Sequence, residues 1–80
     1  MQLNILLFGI TKEIIGQQRL KLELPQETSV SNLLQSLKQS YPALENLDSM
    51  LVAVNNEYSQ KDQLLQESDE IAIIPPVSGG

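Results

Sequence analysis

The sequence predicts an α+β fold, in which a mixed β-sheet carries one main helix on one face and the chain ends in an extended C-terminal tail. Two short apolar segments, one near each end of the chain, have the composition of interior strands. Between them, one segment has apolar residues at helical spacing. The last six residues, rich in proline and glycine, continue neither pattern. We therefore expect one domain over residues 1–75 and a flexible tail over residues 76–80.

The composition limits what this chain can do. Eighty residues form one domain, whose single core must use nearly every apolar side chain. The formal net charge of −5, from ten acidic and five basic residues, disfavours nucleic acid and anionic membranes as partners. The sequence has no cysteine and no histidine, so it lacks a thiolate nucleophile, the usual neutral-pH base and the usual zinc ligands. We expect no metal site and no catalysis by this chain alone.

The amino terminus gives an expectation about location. It has no basic leader, and its apolar run is far shorter than the ~20 residues that a membrane helix needs. The lack of cysteine is compatible with the cytoplasm. We expect a soluble, unprocessed cytoplasmic protein.

The first quarter of the chain predicts two strands around a short helix. Residues 3–8 are apolar on both faces apart from Asn4, as in an interior strand. Thr11 is predicted to cap a one-turn helix over residues 12–15, and Gly16 suits the left-handed residue that ends it. Residues 19–24 alternate leucine with charged residues, which predicts a half-exposed strand that ends before Pro25.

The main helix is predicted to begin after Ser29, its N-cap, and to end before Pro42. Its apolar residues recur at i, i+3, i+4, i+7 and i+11 and form one stripe: Val30, Leu33, Leu34, Leu37 and Tyr41. We expect this stripe to pack against the apolar residues of the first two strands.

The second half of the chain predicts further strands. Residues 43–50 offer three possible anchors in the core, Leu44, Leu47 and Met50. Residues 51–54 have strand character and precede the turn-prone pair Asn55 and Asn56. Residues 71–74 are the second candidate for an interior strand. Because the most apolar strands are first and last in the chain, we expect them to be neighbours in a ubiquitin-like β-grasp fold.

A single main helix covers only one face of a sheet, so the other face should be open. Phe8 and Ile74 are predicted to lie on that face. Together with Tyr58 they form the predicted partner interface, with packing in the core as the alternative.

The tail has the composition of a segment that projects from the domain and enters another protein. Pro75 and Pro76 have no backbone N–H and a fixed φ, so they end the sheet and project the chain. Gly79 and Gly80 have no Cβ, so an enzyme can enclose the terminus in a narrow channel. The terminal carboxylate is ionised at neutral pH and resists nucleophiles until it is activated, for example as an acyl-adenylate. The alternative is a frayed terminus without a function.

Three segments of the chain resemble the small subunit of molybdopterin synthase, a family of ubiquitin-like sulfur carriers. They are Leu7 and Phe8 with residues 12–16, residues 52–55, and the most specific segment, residues 68–80. The chain departs from the family where Ser68 replaces a common glycine and where Gly9 replaces the alanine that begins a common Ala-x-x-Arg-Glu motif.

The resemblance implies a role in molybdenum cofactor biosynthesis. A ubiquitin-activating-enzyme-like adenylyltransferase would use ATP to adenylate Gly80, and sulfur would then replace an oxygen to give a thiocarboxylate. The tail residues would insert into the large subunit of a heterotetramer: Pro75, Pro76, Val77, Ser78 and Gly79. There two carriers in turn would supply the dithiolene sulfurs to cyclic pyranopterin monophosphate. The chain itself would bind no cofactor, and the catalytic side chains would belong to the large subunit.

Two other functions remain open from the sequence. The sulfur carrier for thiamine thiazole shares the fold and the Gly-Gly end, but residues 75–78 favour the molybdopterin branch. A non-carrier ubiquitin-like module would dock through its open sheet face with an idle tail, or would be conjugated to lysines.

Overall fold

A computed structural model describes residues 1–46 and 50–75 of the chain, and five strands in it form one mixed sheet. The strand order is β2-β1-β5-β3-β4, in which β1 and β5 are parallel and the other neighbours are antiparallel. This confirms the predicted fold class and the pairing of the first strand with the last. The elements are β1 (Gln2–Leu7), α1 (Gly9–Ile15), β2 (Arg19–Glu23), α2 (Val30–Ser40), a 3-10 helix (Pro42–Asn46), β3 (Leu51–Val54), β4 (Glu57–Tyr58) and β5 (Glu70–Ile74).

The core lies between α2 and one face of the sheet. The α2 residues Val30, Leu33 and Leu37 are buried, and Leu34 and Tyr41 pack partly buried at its edge, so the predicted stripe is confirmed. Fully burying one such leucine contributes about 1.5–3 kcal/mol. The sheet contributes the inward residues of four strands: Leu3, Ile5, Leu7, Leu20, Val52, Val54, Ile71 and Ile73.

Both ends of α2 agree with the sequence. The Ser29 side chain accepts a hydrogen bond from the Asn32 N–H at 3.2 Å, as an N-cap does. The helix ends at Ser40, and Pro42 begins the 3-10 helix. That helix buries Leu44 completely, and Met50 packs partly buried, as anchors of this segment. Leu47 lies outside the described residues.

The short helix α1 differs from its prediction in where it begins. It starts at Gly9 rather than Lys12, and its N-cap is Phe8, without a side-chain cap. Thr11 is therefore not the cap: it is fully buried, and its Oγ1 donates a hydrogen bond to the Phe8 carbonyl at 2.5 Å. Gly9 makes the early start possible because its φ of 57° turns the chain directly from strand into helix. Gly16, at φ 83°, ends α1 as predicted.

The strand β4 was not predicted, because two residues are too few to show an alternating pattern. It pairs with β3 across Asn55 and Asn56, which both have positive φ, 54° and 69°. Positive φ at both central residues is the requirement of a two-residue type I′ hairpin, so the predicted tight turn is confirmed.

Over the part of the chain that the structure describes, neither helix has the length and apolar character needed to cross a membrane.

Candidate functional site

The face of the sheet opposite α2 carries exposed apolar side chains at one end. The strand register builds two apolar rows there. In the first, Leu6 pairs with Ala72, Ala72 with Ala53, and Ala53 with Tyr58. In the second row, Ile74 pairs with Leu51. Extending the parallel register of β1 and β5 by one residue beyond the pair Leu7 and Ile73 places Phe8 beside Ile74. We call these seven residues the apolar patch.

Three members of the apolar patch expose large side chains. Phe8 is 46% exposed, Leu51 48% and Tyr58 69%. Leu6, Ala72 and Ile74 are half-buried between them. Contiguous exposed apolar residues are uncommon on a small soluble protein and are typical of interaction surfaces. The arrangement therefore suits a protein partner better than a small molecule, since it is a broad sheet surface.

The structure brings the three predicted interface residues together. Phe8, Tyr58 and Ile74 all belong to the apolar patch, although 50 residues separate the first two in sequence. None of the three belongs to the buried core cluster, so the alternative of core packing does not apply to them. Sequence reasoning did not assign the other four members of the patch to the interface: Leu6, Leu51, Ala53 and Ala72. Strand alternation in residues 3–8 and 71–74 could have indicated Leu6 and Ala72, whereas Leu51 required the register of β3.

The other end of the same face is polar and charged. There Asn4 of β1 pairs with Lys21 on one side and with Glu70 on the other, and Arg19 of β2 borders the apolar patch beside Leu6. All four polar side chains are exposed. The apolar patch thus occupies the end of the face where β1 and β5 finish.

The predicted tail begins at that same end. Pro75 follows directly after β5 and is half-buried. The other predicted tail residues lie outside the described residues, as does the predicted reacting residue: Pro76, Val77, Ser78, Gly79 and Gly80. The structure thus describes Pro75, where the predicted tail begins, beside Ile74 and Phe8 of the apolar patch. We call Pro75 the root of the tail.

The acidic residues Glu67 and Asp69, before β5, have a structural role, because their carboxylates accept hydrogen bonds. The two carboxylate oxygens of Asp69 accept hydrogen bonds from the Gln66 N–H at 2.8 Å and from Asn55 Nδ2 at 3.0 Å. Glu67 accepts one from the Gln2 N–H at 3.0 Å. Among residues 1–46 and 50–75, no group of three or more acidic side chains is placed to hold a metal ion. Asp69 therefore stabilises the turn before β5, and Glu67 joins that segment to the start of β1.

Comparison with known proteins gives one family over nearly the whole chain. The model of the ThiS family matches residues 5–80. The chain is 48% identical to the molybdopterin synthase sulfur carrier subunit of Dictyostelium discoideum, over 99% of this chain and 96% of that protein.

Two solved structures illustrate the likeness in fold. Small archaeal modifier protein 1 from Methanosarcina acetivorans is 29% identical, with a TM-score of 0.76 over 99% of this chain and 96% of that one. A complex of subunits 1 and 2 of the molybdopterin-converting factor from Helicobacter pylori contains a chain that is 23% identical, with a TM-score of 0.65 and full coverage of both chains. The second likeness concerns the fold alone.

Proposed function

Because the chain belongs to the ThiS family and to the molybdopterin synthase sulfur carrier subunits, we propose that Gly80 carries sulfur as a C-terminal thiocarboxylate. The observation that supports this most directly is that the family match extends to residue 80 and so includes the Gly79–Gly80 end. The sequence has no cysteine and no histidine, which leaves the terminal carboxylate as the group suited to acyl chemistry.

The proposed chemistry begins with activation by a second protein. A ubiquitin-activating-enzyme-like adenylyltransferase joins a carboxylate oxygen of Gly80 to the α-phosphorus of ATP, and pyrophosphate leaves. Hydrosulfide supplied by a sulfur donor then attacks the acyl carbon, the bond to AMP breaks, AMP leaves, and the chain ends in a thiocarboxylate. Activation is needed because a carboxylate is a poor electrophile. The two terminal glycines present no side chain to obstruct either attack.

We propose the large subunit of molybdopterin synthase as the partner that receives the sulfur. Its active site would hold cyclic pyranopterin monophosphate and supply the catalytic side chains. Since the product needs two dithiolene sulfurs, two carriers act in turn, and we propose a heterotetramer.

An extended chain spans at most about 3.3–3.6 Å per residue, so residues 76–80 reach roughly 17 Å into the partner. We place this assembly in the cytoplasm.

The apolar patch supports this mode of binding. Phe8 and Ile74 lie beside the root of the tail, so a partner that covers the patch also receives the tail. Tyr58 lies on the far side of β3, which makes the patch wide enough for a protein surface. Aromatic anchors such as Phe8 and Tyr58 commonly contribute most of the energy of a protein interface.

The proposal is tested by the mass of the activated protein. Incubation with the cognate adenylyltransferase, ATP and a sulfur donor is expected to raise the mass by one oxygen-to-sulfur exchange at Gly80. The variant that lacks Gly80 is the control and should not change. An unchanged mass of the full chain, under conditions that convert a known carrier, would overturn the proposal.

A second candidate function has the same activated terminus. The likeness to small archaeal modifier protein 1 favours conjugation to lysine, in which an amine attacks the acyl-adenylate, an amide bond forms and AMP leaves. Incubation with the adenylyltransferase, ATP and a cell extract, without a sulfur donor, distinguishes the two functions. A modifier gives higher-mass conjugates that require Gly80, whereas a sulfur carrier gives none.

A further inference from the structure

The root of the tail is in close contact with the start of α1. The parallel register pairs Leu7 with Ile73, and carried on by two residues it brings Gly9 opposite Pro75. A Cβ on Gly9 would lie 3.0 Å from Pro75 Cγ and 3.9 Å from Pro75 Cδ. Carbon atoms at their optimal separation are about 3.5–4.0 Å apart. A side chain at position 9 would therefore crowd the Pro75 ring, which would have to shift by a few tenths of an ångström.

The backbone at position 9 also favours glycine. Phe8 is extended, at φ −128° and ψ 152°, and Gly9 then takes a φ of 57°. Residues with a Cβ rarely adopt this left-handed region. The sharp turn from β1 into α1 and the contact with Pro75 both depend on the same missing side chain.

Hydrogen bonding to β1 does not position Pro75. The Leu7 N–H donates to the Gln18 carbonyl at 2.9 Å, on the β2 side of β1. Polar groups of successive residues in an extended chain point to opposite sides, so a continued β1–β5 ladder would join the Phe8 carbonyl to the N–H of residue 75. Pro75 has no N–H with which to make that bond. The buried Thr11 hydroxyl donates to this carbonyl instead, at 2.5 Å.

We propose that Gly9 is a positioning residue, whose bare backbone accommodates the Pro75 ring and thereby fixes the point from which residues 76–80 continue. This rests on the proposed function, in which the tail enters the partner while Phe8 and Ile74 contact it. Those two residues immediately precede Gly9 and Pro75, so the contact fixes Pro75 relative to the apolar patch.

The experiment measures sulfur transfer with the activation step bypassed. Each variant is made as a thioester of Gly80, and sulfide displaces the thiol to give the thiocarboxylate. Single-turnover formation of molybdopterin is then followed with the large subunit and cyclic pyranopterin monophosphate, over a range of carrier concentrations. The maximal rate reports delivery of the tail, and the half-saturating concentration reports docking.

The variants form a graded series with a matched control. Gly9→Ala should lower the maximal rate severalfold, and Gly9→Val roughly tenfold, given that a misplacement of about 1 Å can cost on the order of a hundredfold. Gly16→Ala and Gly16→Val are the controls, because Gly16 also has positive φ, 83°, but a Cβ there meets nothing within 4 Å. They carry similar backbone strain without the contact and should keep the wild-type maximal rate.

A rescue variant tests the contact itself. Pro75→Ala removes the Cγ and Cδ atoms that the added Cβ would meet. In that background, Gly9→Ala should cause little further loss of rate. Equal rates for the Gly9 and Gly16 variants, or full additivity of Gly9→Ala and Pro75→Ala, would overturn the proposal.

The outcome separates this inference from the proposed function. If the wild-type thiocarboxylate forms no molybdopterin, the proposed function fails. Thermal unfolding of the two single variants and the double variant then tests the contact between Gly9 and Pro75. A destabilisation by Gly9→Ala that largely disappears in the Pro75→Ala background supports the contact, and additive effects overturn it.

Discussion

At the scale of single residues, Asn55 shows how one side chain can fix a turn and a neighbouring segment together. Its backbone has a φ of 54°, which the type I′ hairpin needs. Its Oδ1 accepts from the Glu70 N–H at 2.9 Å, and its Nδ2 donates to Asp69 at 3.0 Å. Asn55 thus ties the β3–β4 turn to the residues that lead into β5.

The first prediction isolates those two hydrogen bonds. Asn55→Gly keeps the positive φ but removes both side-chain bonds, and it should lower the free energy of unfolding by about 1–2 kcal/mol. Urea unfolding, followed by circular dichroism, measures the loss. Asn56→Gly is the matched control, because Asn56 lies next in the same turn at φ 69°. Equal losses for the two variants would contradict this role of the Asn55 side chain.

At the scale of elements, β5 links the fold to the proposed function. It lies in the middle of the sheet, parallel to β1 on one side and antiparallel to β3 on the other. Its inward residues Ile71 and Ile73 are in the core, while Ala72 and Ile74 belong to the apolar patch. The predicted tail therefore follows a strand that is paired on both sides and packed in the core, next to the surface that we propose as the interface.

The second prediction concerns the apolar patch. Phe8→Ala should weaken binding to the large subunit roughly tenfold, as truncation of a central aromatic anchor often does. Isothermal titration calorimetry with the purified large subunit gives the affinity. Ile10→Ala is the matched control, since Ile10 is 43% exposed against 46% for Phe8 but lies on α1, outside the patch. It should bind like the wild type.

A third prediction places a charge in the patch. Ile74→Asp should weaken the same binding further, because a carboxylate would be buried against an apolar partner without a charge partner. Ile74 is half-buried and lies on the open side of β5, so the isolated domain should still fold. A cooperative thermal transition is the required control. Unchanged affinity in a folded variant would remove Ile74 from the interface.

At the scale of the whole molecule, stability and proposed activity belong to different parts of the chain. The buried core cluster extends from Leu3 to Ile73, and the proposed reacting group is Gly80. Among the residues that the structure describes, the core is thus built from positions before the proposed reacting group. The protein can then keep its fold while the terminus is activated, loaded with sulfur and discharged.

The fourth prediction follows from this separation. Deleting Gly79 and Gly80 should change the melting temperature by no more than about 2 °C, because chain ends outside a core contribute few buried contacts. The same deletion should abolish formation of molybdopterin with the activating enzyme and the large subunit. Differential scanning calorimetry and the product assay check the two halves. A large loss of stability with retained activity would contradict both.

Much of this structure could be predicted because local patterns agree with the fold. The leucine stripe of α2, the Ser29 cap, Gly16 and the Asn55–Asn56 turn all function in the structure as their residue types indicate. Prediction failed where the pattern was too short or the local signal misleading. Two residues cannot display alternation, so β4 was missed, and Thr11 had the character of a cap although its hydroxyl bonds to the Phe8 carbonyl inside the fold.

The sequence by itself determined the α+β class, the neighbouring first and last strands, the core stripe and the family. These depend on periodicity, composition and terminal residues, which are local properties of the chain. Only the tertiary structure decided which residues share the open face, because register across three strand pairings brings Leu6, Leu51 and Tyr58 together. It alone also revealed the contact of Gly9 with Pro75, since proximity of residues far apart in sequence has no local signal.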